Sequence, residues 1–247
     1  MLTPSERERY DRQVLIGEIG EEGQEKLKRS RVVIAGAGGL GSPIAIYLTA
    51  AGIGRIRIID HDQVALSNLN RQILHWEKDI GNNKVDSARA KLRSLNSTVE
   101  IEAIAETITE GNVSRLVDGC NVIVDAMDNF PTRYVLNRCA IEKKIPFFHG
   151  AVSGFEGRVL TILPGETACL RCRFRGPVPE VKFPVIGVAP AVIGSIQATE
   201  VIKYLLGIGR LLTNRLLIYD GLQAKFSEFK VDRNPTCDHC GSLTSKE

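Results

Sequence analysis

The sequence predicts an α/β fold, a Rossmann-like doubly wound and mostly parallel sheet continued by antiparallel strands toward the C-terminus. Three observations lead there. Short apolar runs alternate with helical patterns as far as Gly150, the order that builds a parallel sheet with helices on both faces. A glycine-rich turn separates the first run from the first strong helical pattern. After Gly150 the runs instead read as strands lying beside one another.

The elements follow in order. Residues 3–29 are charged with sparse apolar positions (Leu15, Ile16, Ile19, Leu27), which suits short surface helices. Residues 31–36, RVVIAG, form a continuous apolar run ending in glycine, a buried parallel strand. Residues 42–52 read as a helix closed by Gly52. Residues 56–60, IRIID, are a second strand. Over 84–95, Val85, Ala88, Leu92 and Leu95 fall on one helical face. Residues 99–104 alternate as a third strand, 121–126 form a fourth, and 146–150 a fifth. Pro131 suits a helix start, and that helix runs to about Lys143. Beyond Gly150, residues 158–164, 215–221 and 226–231 read as antiparallel strands, with a helix near 188–206 among them. Residues 171–184 hold three prolines and little periodicity, so a mobile loop is expected. The chain thus divides into an N-terminal helical segment (1–29), a Rossmann-like nucleotide-binding region (30–165), and a crossover loop with antiparallel strands and tail (166–247), together one compact domain.

Composition narrows the function classes. Lys and Arg number 32 against 29 Asp and Glu, and no basic block stands out, which argues against nucleic acid. No apolar run approaches the roughly 18 residues of a membrane span. The polar N-terminus, MLTPSERERYDRQ, does not read as a secretory leader. A cytoplasmic protein is expected, and its six cysteines read as thiols or metal ligands.

Gly36, Gly38, Gly39 and Gly41 fit G-x-G-x-x-G between a strand and a helix. This turn lets backbone approach phosphate at a helix N-terminus. Asp60, at the end of the next strand, stands where a carboxylate accepts hydrogen bonds from ribose hydroxyls. Alone, these features fit an NAD-dependent oxidoreductase. The following segment favours ATP. It carries Asp62, Ser67, Asn68, Asn70 and Arg71, while Lys84 opens the next helix and Asp128-Asn129 follow the fourth strand. Each lies past the carboxyl end of a parallel strand, where open α/β sheets bind ligands. Two cations and a carboxylate suit a triphosphate with Mg2+: Arg71 and Lys84 neutralise phosphate oxygens and Asp128 holds the metal.

Cys169/Cys172 and Cys237/Cys240 are two C-x-x-C pairs, together the four thiolates of a structural Zn2+ site built by the fold. His239, inside the second pair, reads as exposed or as a neighbour of the site. Cys120 and Cys139 read as core thiols.

Residues 9–13 (RYDRQ), 36–43 (GAGGLGSP) and 67–72 (SNLNRQ), with Lys84, Asp128-Asn129 and the paired cysteines, resemble the MoeB/ThiF/HesA family, relatives of ubiquitin-activating enzymes. The resemblance runs in order along nearly the whole chain. It implies a homodimer that uses ATP to adenylylate the C-terminal glycine of a ubiquitin-like sulfur carrier of MoaD or ThiS type, ending in Gly-Gly. It implies that the glycine loop and Asp60 bind ATP, that Asn68, Arg71 and Lys84 contact phosphates, and that Asp128 binds Mg2+. Arg12 is implied to reach the partner subunit's ATP. Activation of a peptide carboxylate is a family alternative, and an inactive dimeric scaffold another reading. One departure stands out. Many members carry a cysteine in the loop after the first C-x-x-C pair, whereas residues 173–189 here contain none. Adenylylation is therefore expected without covalent loop chemistry. With no rhodanese-like extension after residue 247, a separate sulfur donor is expected.

Overall fold

The computed structural model describes residues 1–175 and 183–241. Its first helices are short for a local reason. In α1 (Pro4–Arg9), the Thr3 side chain accepts from the Glu6 N–H while Glu6 reaches back to the Thr3 N–H, a capping box. Glu6 also pairs with Lys28 at 2.7 Å, tying α1 to α3 (Gly20–Arg29) across the single turn of α2 (Asp11–Val14).

The apolar runs then become strands, with helices returning between them: β1 (Arg31–Ala35), α4 (Gly41–Ala50), β2 (Arg55–Ile59), α5 (Lys84–Leu95), β3 (Glu100–Ile104), α6 (Val113–Leu116), β4 (Val122–Asp125), α7 (Phe130–Lys143), β5 (Phe147–Ser153) and β6 (Glu156–Ile162). After α8 (Leu170–Arg173) and α9 (Val188–Leu206) come β7 (Arg215–Asp220) and β8 (Lys225–Lys230). Among the described residues these strands form one sheet in the order β3-β2-β1-β4-β5-β6-β7-β8. β3 through β5 pair in parallel, and from β5 onward each pairing is antiparallel. Strand order reverses between β1 and β4, so a crevice opens past their carboxyl ends, where Ala35 pairs with Asp125.

Alternate side chains divide the core. Val32, Ile34, Ile56, Ile58, Val124 and Phe148 pack beneath α3, α4, α5 and α9. Val33, Ala35, Ile59, Ile123, Phe147 and Leu160 pack on the opposite side against α6, α7 and the cysteine-bearing segments. Phe147 and Phe148 are both fully buried, each contributing about 1.5–3 kcal/mol over exposure. No helix of the described residues is long and apolar enough to cross a membrane.

Several details depart from the sequence reading. Leu95 is 42% exposed, so the apolar face of α5 ends at Leu92. β5 continues to Ser153 because it pairs antiparallel with β6 along its whole length, past His149 where its pairing with β4 ends. Cys120 lies in the turn before β4 and is half-buried, unlike the core thiol of Cys139. The segment expected as a loop over 171–184 begins inside the four-residue helix α8, and its residues 176–182 lie outside the described residues.

Candidate active site

The glycine loop folds tightly between β1, β4 and α4. Gly36 has φ 105°, and a Cβ there would lie 2.6 Å from the Ala126 carbonyl oxygen. At Gly41 a Cβ would lie 2.0 Å from the Gly36 carbonyl oxygen. Only glycine fits either place, and the loop leads directly into the N-terminus of the ten-residue helix α4. Asp60 anchors it from β2: Oδ2 accepts from the Ala37 N–H at 2.8 Å and Oδ1 from the Asp62 N–H at 2.9 Å. The carboxylate is thus fixed by backbone, and each oxygen keeps a lone pair for a ribose hydroxyl.

His75 supports the same loop from within the core. Its Nε2 lies 2.8 Å from the Ala37 carbonyl oxygen and its Nδ1 2.9 Å from Ser87 Oγ. Burial holds its pKa below the ordinary imidazole value. The neutral ring therefore donates from Nε2 to Ala37, and the Ser87 hydroxyl donates to Nδ1.

The phosphate-side candidates converge on this loop from two directions. A single 3-10 turn, Leu66–Asn68, is closed by Asn68 Oδ1 accepting from the Ala65 N–H at 3.0 Å. Arg71 Nη1 donates to the Ser67 carbonyl at 2.9 Å and to Asn70 Oδ1 at 3.1 Å. Gly39 and Gly187, the latter at the N-terminus of α9, both pack against the Asn70–Arg71 backbone. The glycine loop, the Arg71 turn and the start of α9 therefore meet. Lys84 is 5% exposed and its Nζ donates to Asp62 Oδ2 at 2.6 Å, so its charge arrives already paired. Asp128 is exposed past the end of β4, with Oδ1 3.4 Å from the Asn129 amide. Asn129 caps α7, accepting from the Thr132 N–H at 2.9 Å. An exposed carboxylate at the crevice edge, in so light a contact, fits a hard divalent cation.

Arg12 stands elsewhere. Its neighbour Gln13 donates to the carbonyl of Ala51, which ends α4, whereas the glycine loop opens α4 roughly 15 Å away along a ten-residue helix. Arg12 is exposed and has no ion-pair partner among the described residues.

The four paired cysteines do come together. Their sulfurs lie within 4.8 Å of one another, with Cys169–Cys172 at 3.8 Å, Cys169–Cys237 at 3.7 Å and Cys172–Cys240 at 3.4 Å. A tetrahedral zinc with bonds of about 2.3 Å sets its sulfurs roughly 3.8 Å apart. All four are buried, and burial pushes the Cys240 thiol up to about 11. Four buried sulfurs ionise together only around a cation, so the cluster fits a zinc knuckle. The Asn234 N–H faces Cys172 Sγ at 3.4 Å. His239 stands aside, its Nδ1 2.8 Å from the Asn137 amide of α7. Burial also raises the Cys120 thiol to about 12 and the Cys139 thiol above its ordinary value, so both stay protonated near neutrality.

The sequence reading missed His75, Asp125 and His149. The last two carried a signal: an acid and an imidazole at the ends of otherwise apolar strands, both of which prove fully buried.

The sequence profile of the ThiF family matches residues 10–239. A Thermus thermophilus sulfur carrier protein adenylyltransferase is 44% identical over 250 residues, covering 97% of this chain and 92% of that protein. A Haloferax volcanii SAMP-activating enzyme E1 is 43% identical over 246 residues, covering 97% of this chain and 91% of that one. Among solved structures, E. coli MccB with ATP matches with a TM-score of 0.85 at 26% identity, over 95% of this chain and 75% of that chain.

Proposed function

Because the chain belongs to the ThiF family, we propose that it uses ATP to adenylylate the C-terminal glycine carboxylate of a ubiquitin-like sulfur-carrier protein, activating it for sulfur transfer. The observation that carries this reading is the crevice past β1 and β4. There the glycine loop packs against the Arg71 turn, and Lys84 pairs with Asp62 beside Asp60, in a chain closely similar to a sulfur carrier protein adenylyltransferase.

The carrier's carboxylate is ionised at pH 7, so it attacks the α-phosphate without a general base. The new C–O–P bond forms as the bond to pyrophosphate breaks in line. Catalysis is then a matter of holding the two reactants and neutralising charge on the phosphate oxygens. Asp60 and the glycine loop bind the nucleoside and its phosphates, assisted by Asp62, Ser67, Asn68, Asn70 and Asn129. Arg71 and Lys84 face the phosphates. Asp128 would hold Mg2+, which supplies further neutralisation when bound. The four cysteines would hold Zn2+ with no open position, so that metal is structural.

The enzyme would act as a homodimer. The distance of Arg12 from its own glycine loop supports its service to the partner's nucleotide, and the exposed Leu15 and Ile16 supply apolar surface beside it. The acyl-adenylate then passes to a separate sulfur donor.

ATP–pyrophosphate exchange with a panel of carriers ending in Gly-Gly tests the reading. A cognate carrier should drive exchange and gain the mass of AMP. A non-reducing denaturing gel should show no enzyme–carrier adduct, and Cys120→Ser and Cys139→Ser should keep exchange. Exchange with no carrier but with a peptide carboxylate would shift the substrate to the second reading. A thiol-sensitive adduct lost in either cysteine variant would overturn the direct route.

A further inference from the structure

Asp125, the last residue of β4, pairs with His149, the third residue of β5 and the last in register with β4, and neither exposes any surface. His149 Nδ1 donates to Asp125 Oδ2 at 2.7 Å. Arg133 of α7, 5% exposed, brings Nε within 3.4 Å of the same oxygen. The remaining oxygen, Oδ1, accepts from the Met127 N–H at 3.0 Å. Arg133 Nη2 donates to the Met127 carbonyl and, at 3.2 Å, to the Gly150 carbonyl.

Both peptide groups of Met127 are therefore held, the N–H by Asp125 and the carbonyl by Arg133. Asp128 follows at once, and Asn129 after it is fixed as the cap of α7. Asp128 is thus bracketed by two anchored residues while its own carboxylate stays exposed. Gln197 of α9 braces the cluster from behind. Its Nε2 donates to the carbonyls of Asp125 at 2.9 Å and Phe148 at 3.0 Å. A Cβ at Gly150 would stand 2.1 Å from Gln197 Oε1, so glycine is required there.

The charges balance. Asp125 and Arg133 cancel, and His149 Nε2 is buried without a partner among the described residues, which places the single ring proton on Nδ1. A buried ion pair is a weak route to stability, because apolar side chains of like volume fill such a space as well. This cluster does something apolar residues cannot do: it grips a specific peptide next to the crevice.

Resting on the adenylylation reading, we propose that Asp125, Arg133 and His149 are positioning residues that set the Asp128 carboxylate for the divalent cation accompanying the nucleotide. None of them needs to touch substrate. They act through the Met127 peptides, much as outer partners orient a metal's ligands.

The test uses full-length enzyme and two readouts: Mn2+ affinity by electron paramagnetic resonance with ATP and no carrier, and the Mg2+ concentration for half-maximal pyrophosphate exchange. His149→Leu removes the donor to Asp125, and Arg133→Lys keeps charge but loses the planar group that sets Nε beside Asp125 while Nη2 reaches both carbonyls. Each should weaken Mn2+ binding by about tenfold and raise the Mg2+ requirement alike, with the carrier's KM unchanged. His149→Asn, whose amide can stand where Nδ1–H stood, should restore most of the affinity. Unchanged Mn2+ affinity in Arg133→Lys, or His149→Asn as weak as His149→Leu, would overturn the proposal. Should His149→Leu fail to fold, Arg133→Lys decides alone. Wild-type enzyme that exchanges pyrophosphate with no carrier would sink the adenylylation reading, while the Mn2+–ATP measurement still judges the positioning residues.

Discussion

Asp128, Arg71 and Lys84 are held by their own chain to different degrees, and that difference decides which of them reports cleanly on chemistry. Asp128 is exposed and, among the described residues, lightly contacted by the Asn129 amide. Arg71 uses one nitrogen on its own turn, leaving donors to spare. Replacing either by alanine should leave the fold intact and lower carrier-dependent exchange by roughly 10²–10³, or about 2–4 kcal/mol of lost stabilisation. Full exchange with unchanged melting would remove them from the phosphate site. Lys84 is a poorer probe, because its loss also removes the partner of Asp62 and empties a buried position. At this scale the sequence displayed the glycines, Arg71, Lys84 and Asp128, since each follows a strand end that periodicity already marked. It could not display who pairs with whom. The Asp125–His149 contact exists only because β5 lies beside β4, and His75 reaches Ala37 with Ser87 of α5 holding its other ring nitrogen.

At the scale of elements, α5 and α9 were legible, since apolar residues at helical spacing announce a helix locally. The helix α8 was not. Four residues carry no periodicity, and what holds α8 is the cysteine cluster together with Asn137, whose Oδ1 accepts from the Leu170 N–H at 3.0 Å. It follows that α8 and the 237–241 turn depend on the metal we assign to them. Protein purified under reducing conditions should contain one zinc per chain, and Cys240→Ser should lose it. A ligand present at a hundred times its dissociation constant stabilises by about 2.7 kcal/mol. For a domain of this size the variant should therefore melt about 5–10 °C lower, with the reaction type unchanged. Metal analysis finding no zinc would defeat the assignment.

For the whole molecule, the parallel half was readable because each β-α-β unit is written in consecutive sequence. The order of β6, β7 and β8 was not, because antiparallel pairing at an edge is chosen by turns and neighbours rather than by period. Assembly extends the same argument beyond one chain. If Arg12 serves the partner's nucleotide, a mixed dimer of Arg12→Ala and Asp128→Ala subunits holds one doubly damaged site and one intact site. Mixing should recover activity that neither parent has, and proven subunit exchange without recovery would show that Arg12 acts within its own chain. The cysteine cluster also has a kinetic side. Cys169 and Cys237 are 68 residues apart in sequence, so a metal between them closes a ring that contains α9, β7 and β8. The sulfurs lie inside the core, Cys169 only 1% exposed and Cys240 2%. A chelator cannot reach such an ion until the ring opens, so zinc should leave at a rate set by opening of the tail and independent of chelator concentration. The metal would then serve as a clock for how often the C-terminal half lets go of the sheet.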